Sequence, residues 1–530
     1  MDARARGLQS SAGDVARASA DSARAGGCAR RFREGAPVVR CVLDSSHRGG
    51  GSTGGEGDVV RGIWRGVASR LVEDAAIASA REESGTPARL SSLREWRRLE
   101  LAAMAARVCD RVIFGGALML LLLAPWFYGS DHAGALMGLG FGVGGLWLLW
   151  ILQIALAGEG RWAWSWAQMG GLLLLGLALL QLVPLPVSAE RIPSPEGEIL
   201  SWNRLTRDPA ATVAAMARLV LMLAYFSLLM LSTSSAVRLR ALEMALLGNG
   251  AVLAFLGLLN AFSATGPVIW SFPPGSPSFG PYANRAHFSA LMEMIMPLGL
   301  ARVFSEGWAR RGASLLLVPA LVVMGAAVGV AASRAGIVLA ALQWGVMPWL
   351  VWRGRDRARL RSTFLRACVL MSLAIGGGVW IGGESLRERV LERFREDALA
   401  VRGEIWRATL RMIGEHPVFG VGLGAFATVY PRYDASPGLR YTAEAHNDYL
   451  QLLAEVGIVG GLIGAAFLSL LVRTIWRSLW RAAEPAAVGA SVGILAILIH
   501  SIVDFGLRVP ANGLVFLSLL VVLLRLDRGR

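Results

Sequence analysis

The chain is 530 residues long, 54% hydrophobic and only 17% charged, with a mean hydropathy of +0.50. A soluble protein carries about a quarter charged residues, so the composition excludes an ordinary soluble enzyme. The 53 basic residues, all arginine, outnumber the 38 acidic ones. Their placement between apolar blocks points to a lipid bilayer, and not to nucleic acid, as the partner.

Residues 1–110 are rich in Arg, Ala, Gly and Ser, with a Gly/Ser tract at Gly49–Gly55 and no sustained apolar period. Such a segment buries too little surface to offset its ordering entropy and is expected to be a disordered cytoplasmic extension. It lacks the charged, apolar and small-residue order of a signal peptide. A reading of equal weight starts the protein downstream, near Met104. Of the four cysteines, Cys28 and Cys41 fall here, and Cys109 and Cys368 near span ends. Neither a disulfide nor a metal-type cysteine cluster is expected.

Apolar blocks of about 20 residues then follow, the length that crosses about 30 Å of hydrocarbon as a helix. They predict an all-α polytopic membrane protein with about twelve transmembrane helices. The spans lie near 112–128, 132–156, 167–186, 212–231, 239–262, 286–304, 313–332, 335–352, 364–382, 447–472, 486–506 and 510–525. Nine fall in 111–382, a long connection fills 383–446, and three occupy 447–530. Arginines crowd alternate connections: Arg238 and Arg240, Arg302, Arg310 and Arg311, the run from Arg353 to Arg366, then Arg473, Arg477 and Arg481. In the intervening short connections Arg334 and Arg508 stand alone. The positive-inside rule therefore puts both termini in the cytoplasm and the long connection outside.

Three outer connections are longer than topology requires: 187–211, 263–285 and 383–446. In the last, Ser385 to Arg395 reads as a charged helix. Arg402 to Ile413 reads as an amphipathic one, with Ile405, Trp406, Thr409, Leu410, Met412 and Ile413 on one side. Pro417 and then Gly420, Gly422 and Gly424 turn the chain. The glycines lack the preceding strand and following Lys-Ser/Thr of a phosphate loop, so they read as turn residues. His416, before Pro417, reads as a helix-end cap. A structured loop of this kind is a plausible cover for an active site.

The stretch RGEIWRATLRMIGEHPVFGVGLGAFATVYPRY (Arg402–Tyr433), followed by AEAHNDYLQLLAEVGIVGG (Ala443–Gly461), resembles the signature region of the O-antigen ligase and polysaccharide polymerase superfamily. NRAHFSALMEMIMPLGLA (Asn284–Ala301) and ASRAGIVLAAL (Ala332–Leu342) resemble two further segments of that family, in the expected order. The similarity spans about residues 110–525, and the arginine-rich N-terminus lies outside it. The resemblance implies a glycosyltransferase of the bacterial inner membrane. Its donor would be a glycan linked to undecaprenyl pyrophosphate, and its acceptor a hydroxyl of a glycan or of lipid A core. Transfer would take place on the periplasmic face. Ligase and polymerase both fit; the HND ending and the loop helices favour the ligase.

A pyrophosphate leaving group gathers negative charge that a metal or fixed cations must stabilise. The outer connections show no Asp-x-Asp pair and no His/carboxylate cluster at metal spacing. No metal or other cofactor is therefore expected, and arginine, whose planar fork grips phosphate, becomes the candidate. By similarity Arg334 and Arg402 would contact the pyrophosphate, with Arg285 and Arg407 as further binding candidates. An acceptor hydroxyl must also lose a proton. His446 is the candidate base, since an ordinary imidazole, with a pKa of about 6.5, accepts one at neutral pH. Tyr441, Asn447 and Asp448 flank it as candidate substrate-binding residues, and Asp448 or Glu444 is expected to orient it or to act as base instead.

Glu293, Glu455, His500 and Asp504 are intramembrane ionisable residues, candidates for function or for helix pairing. His500 and Asp504, four apart in the eleventh span, are expected to pair. Glu293, Glu455 and Asp504 would also serve ion coupling in a secondary transporter, but the halves show no internal repeat of the kind transporters carry. A third reading is a non-catalytic scaffold subunit with the same fold.

Overall fold

The computed structural model describes residues 87–530 apart from 161, 185–189, 194–198, 264–265, 274–275, 307–312, 353–360, 370, 375–397, 435–441, 481–483 and 529–530. The chain divides into two compact units, 1–97 and 98–530, and the description below concerns the second. It is almost wholly helical: α1 (Pro87–Leu123), α2 (Ala133–Ala157), α3 (Trp166–Leu182), α4 (Pro209–Ser232), α5 (Ala236–Phe262), α6 (Arg285–Glu306), α7 (Ala313–Ala331) and α8 (Arg334–Trp352). Then come α9 (Ala398–Glu415), α10 (Asp448–Trp480), α11 (Pro485–His500) and α12 (Pro510–Arg528). A two-stranded antiparallel hairpin, β1 (Glu190–Pro193) with β2 (Ile199–Trp202), sits in the connection before α4.

Among the described residues eight helices are long and apolar enough to cross a membrane, and three shorter apolar ones, Trp166–Leu182, Leu316–Ala331 and Pro485–His500, accompany them. Eleven of the twelve predicted spans thus have a helical counterpart. For the remaining one, 364–382, only residues up to 374 are described, and those are helical apart from the undescribed 370. The predicted charged helix Ser385–Arg395 lies outside the described residues. The eleventh predicted span, 486–506, is corrected: its helix ends at His500, and Asp504 lies in the turn beyond it.

The centre of the bundle is α6, almost entirely buried, against which α11 packs more extensively than any other helix. Lipid tails offer no hydrophobic contrast, so membrane helices associate by close van der Waals fit through small residues. Gly489 and Gly493, one turn apart on α11, supply that fit. A Cβ on Gly489 would stand 2.6 Å from Leu298 Cα, and one on Gly493 would stand 2.4 Å from the Met294 carbonyl oxygen.

A second constraint is a break in α10 at Gly457, whose φ of 60° and ψ of −163° only glycine adopts readily. The break frees backbone groups that must find partners inside the membrane. The segment after α9 supplies them: Val421 N–H donates to Ala454 O at 2.9 Å, and Gly422 N–H to Glu455 O at 2.9 Å. In return Ile458 N–H donates to Pro417 O at 2.8 Å, and Val459 N–H to Val418 O at 3.2 Å. Gln181 of α3 clamps the same segment, donating to Phe419 O at 2.7 Å and accepting from Leu423 N–H at 3.0 Å. Gly420, Gly422 and Gly424 all have positive φ, as turn residues should.

The amphipathic helix is present as α9 and buries Ile405, Ala408, Thr409 and Met412. Leu410, predicted on that side, is exposed instead; at 100° per residue it falls well away from the stripe Ile405–Ala408–Thr409–Met412. Trp406 Nε1–H donates to Ala445 O at 3.1 Å, tying α9 to the start of α10.

If close approach holds the bundle, Gly489→Ala and Gly493→Ala should each destabilise the detergent-solubilised protein by about 1–3 kcal/mol, the usual cost of overpacking. Gly345→Ala, with nothing within 4 Å of its added carbon, should leave thermal unfolding unchanged. Equal melting of all three would contradict the packing.

Candidate active site

The ends of α6, α10, α11 and α12 bring nine ionisable side chains into two linked clusters. In the first, Asp504, 1% exposed, faces two histidines: His446 Nδ1 at 3.3 Å and His287 Nε2 at 3.8 Å from the same oxygen, Oδ1. Phe505 packs edge-on against both rings, at 4.9 Å from His446 and 4.6 Å from His287. His287 is fixed from behind: its carbonyl accepts from Asn512 Nδ2 at 3.0 Å, and Asn512 Oδ1 in turn accepts from the Tyr282 hydroxyl at 2.9 Å. One turn down α11 and α6, His500 Nδ1 meets both oxygens of Glu293 at 3.0 and 3.1 Å, fully buried.

Burial works against the Asp504 charge, but the two histidines that face it, His446 within hydrogen-bond reach and His287 beside it, outweigh that and hold the carboxyl well below the ordinary range. A depressed folded-state value lends stability that is complete above the unfolded carboxylate value of about 3.9 and lost only as pH falls through the folded one. Asp504 is therefore ionised at neutral pH and can only accept. His446 Nδ1–H therefore donates to Asp504, which leaves Nε2 as the ring nitrogen outside that pair. His446 itself has φ of 52°, a left-handed conformation uncommon outside glycine that aims the ring at Asp504. Its side chain remains 31% exposed, so the ring is anchored on one side and open on the other.

The second cluster surrounds Arg508, in the turn between α11 and α12. Its guanidinium lies 3.1 Å from Glu455, 3.4 Å from Glu444 and 3.7 Å from Asp448. Burial opposes the Arg508 charge, yet the three carboxylates hold it above its ordinary value. Burial pushes Glu444 up, against the pull of Arg508. Gln451 joins Glu444 and Glu455, and Glu455 accepts from Gly424 N–H at 3.0 Å. The cluster thus locks the Gly-rich segment and the start of α10 together. Among the described residues no group of three His, Cys, Asp or Glu is placed to hold a metal ion.

The candidates read from the sequence fall as follows. His446 sits at the centre. Arg402, partly buried on α9, lies near enough to His500 to act on it electrostatically. Arg334 opens α8 at this same end, where Gly336 packs on Ser289 of α6. Arg285 opens α6, its backbone N–H donating to Pro277 O at 2.7 Å. Arg407 is exposed on the side of α9 away from its buried stripe. Asn447 Oδ1 accepts from Tyr449 and Leu450 N–H at 3.0 Å each, capping α10. Asp448 accepts from the Ser501 hydroxyl at 2.7 Å. Tyr441 lies outside the described residues.

Two expectations change. His500 pairs with Glu293 across helices, not with Asp504. The carboxylate on His446 is Asp504 and neither Asp448 nor Glu444, because both of those are turned to Arg508. His287 was not singled out, although it stands two residues from Arg285 in a segment that was. Arg508 was passed over as solitary; a lone arginine in a connection where the positive-inside rule expects none was the signal.

A polytopic helical membrane protein with a histidine–carboxylate pair at one end of its bundle is the class these features define. Residues 319–464 match the family model described as O-antigen ligase, which supports the O-antigen ligase superfamily for that stretch. No curated protein matches the chain. The matched stretch takes in Arg334, Arg402 and His446; Arg285, His287, Asp504 and Arg508 lie outside it.

Arg508 is partly exposed, but its removal strands the buried Glu455 together with Glu444 and Asp448, and stranding a buried charge costs up to about 3–5 kcal/mol. Arg508→Met should therefore cause a loss of that order in unfolding free energy. Arg432→Ala, at the exposed Arg432–Glu415 pair, should cost less than about 1 kcal/mol. Similar losses for both would contradict the role of Arg508 in holding the three carboxylates.

Proposed function

We propose that this chain is an O-antigen ligase-like glycosyltransferase. It moves a glycan from undecaprenyl pyrophosphate to an acceptor hydroxyl, of lipid A core or a similar glycan, on the periplasmic face of the bacterial inner membrane. The observation that carries the reading is His446, held through Nδ1 by ionised Asp504 at 3.3 Å while Nε2 stays open.

The step follows from that geometry. His446 Nε2 takes the proton of the acceptor hydroxyl as its oxygen attacks the anomeric carbon. The bond from that carbon to the pyrophosphate oxygen breaks, and the leaving undecaprenyl pyrophosphate carries the charge away. Arg334 and Arg402 stabilise the growing negative charge in a site partly shielded from water, where fixed cations act most strongly. Asp504 stabilises the imidazolium that forms, as a carboxylate behind a catalytic histidine does. Attack opposite the pyrophosphate inverts the anomeric centre. Arg285, Arg407, Tyr441, Asn447 and Asp448 take part in substrate binding, with both termini and the arginine-rich connections in the cytoplasm. Twelve spans, with 383–446 as the periplasmic loop and 1–110 as a cytoplasmic extension, complete the topology. The carboxylates that a transporter would use are engaged instead in pairs, Glu293 with His500 and Glu455 with Arg508.

In cells with His446→Ala at native membrane abundance, transfer should fall by about 10²–10⁴-fold, the usual contribution of a general base. Long polyprenyl-linked chains with bare final acceptor would mark a ligase; single lipid-linked repeat units would mark a polymerase. Unchanged glycan pools would refute the assignment.

A further inference from the structure

At the other end of α10 lies a site the transfer chemistry does not use. Arg473 and Arg477 stand 25 and 29 residues beyond Asp448. At 1.5 Å per residue that is roughly 38–44 Å along the helix, more than the hydrocarbon thickness of a bilayer. One face of α10 changes character along its length. Ile463, Phe467 and Leu470 are followed at helical spacing by Arg473, Thr474 and Arg477, so an apolar stripe becomes basic within one turn.

The apolar part forms one wall of a groove of about 530 Å³, whose other wall is Trp166, Met169, Gly170 and Leu173 of α3. Gly170 opens the space beside Phe467, and Trp166 stacks edge-on against that ring at 5.2 Å. Trp166 and Leu470 also border a second cavity of about 230 Å³, closed by Arg473, Arg477 and, from α12, Leu524 and Asp527. Arg473, Arg477 and Asp527 line this cavity without meeting one another in an ion pair. None of the three side chains makes a hydrogen bond or ion pair with another residue among those described. Trp147, Trp150, Trp162 and Trp164 form a chain of ring contacts that ends on the groove, which Trp164 helps to line. Tryptophan gathers at the head-group level of a bilayer, which sets the polar cavity at that depth and the apolar groove below it.

We propose that this groove binds a membrane glycerophospholipid with an ethanolamine head group. The phosphate lies between Arg473 and Arg477, the ammonium against Asp527, and one acyl chain along Phe467, Met169 and Leu173. Two guanidiniums alone would suit any anionic lipid; the carboxylate facing them selects a head that carries a cation as well as a phosphate. The lipid bridges α3, α10 and α12 at the end remote from His446, so the site stands apart from the transfer reaction.

The test uses the full chain, purified in detergent, with phosphatidylethanolamine or phosphatidylglycerol added, read by native mass spectrometry and thermal unfolding. The wild type should retain one phosphatidylethanolamine and melt higher with it than with phosphatidylglycerol. Arg473→Gln with Arg477→Gln should lower retention of both lipids on the order of tenfold or more, the loss of a charge-assisted hydrogen bond. Asp527→Asn should leave phosphatidylglycerol binding intact and abolish the preference for ethanolamine. Equal retention by wild type and the double-arginine variant would overturn the site. A wild-type preference for phosphatidylglycerol, or an unchanged preference in Asp527→Asn, would overturn the head-group assignment.

Discussion

The contact between α6 and α11 is the constraint on which the rest depends. Gly489 and Gly493 let the α11 backbone lie directly on α6, where any side chain would collide with Leu298 Cα or the Met294 carbonyl. Only at that separation does His500 reach Glu293 at 3.0 Å. With the pair formed, α11 ends at a fixed height, and the turn that follows carries Asp504 to His287 on α6 and His446 before α10. A histidine–carboxylate cluster in a membrane is costly unless every charge has a partner. The glycines make that partnering possible.

The break in α10 serves the same end by another route. Opening the helix at Gly457 exposes two carbonyls and two N–H groups, all of them satisfied by the segment after α9 and by Gln181. The N-terminal part of α10 is thereby stitched to the α9 segment, and Arg508 holds Glu444, Asp448 and Glu455 in one place. Arg402 and His446, which stand far apart in the chain, are fixed relative to each other through Trp406 and Ala445. Rigid support of this kind is what a reacting geometry needs.

Much of the fold was legible because a bilayer demands about 20 apolar residues per crossing, a signal that composition alone reveals. The amphipathic helix was legible from Ile405, Thr409 and Met412, though Leu410 misled because hydrophobicity does not report which side faces the core. His446 and the arginines stood out by residue type, position and family resemblance. The partners of His446 did not, since Asp504 and His287 lie 58 residues after it and 159 before it, and pairing over such distances is decided by helix contacts that no local pattern encodes. The i, i+4 spacing of His500 and Asp504 suggested a pair on one helix face. The helix stopped between them, and each found a partner on another element.

The central claim is that His446 and Asp504 act as one unit. The most direct test measures transfer by the purified chain from a polyprenyl-pyrophosphate glycan to its acceptor, comparing His446→Ala, Asp504→Asn and the double variant. Residues acting as a unit are strongly non-additive. The double variant should therefore be no slower than His446→Ala alone, with Asp504→Asn already severely impaired. Losses that multiply, or full activity in Asp504→Asn, would contradict the account.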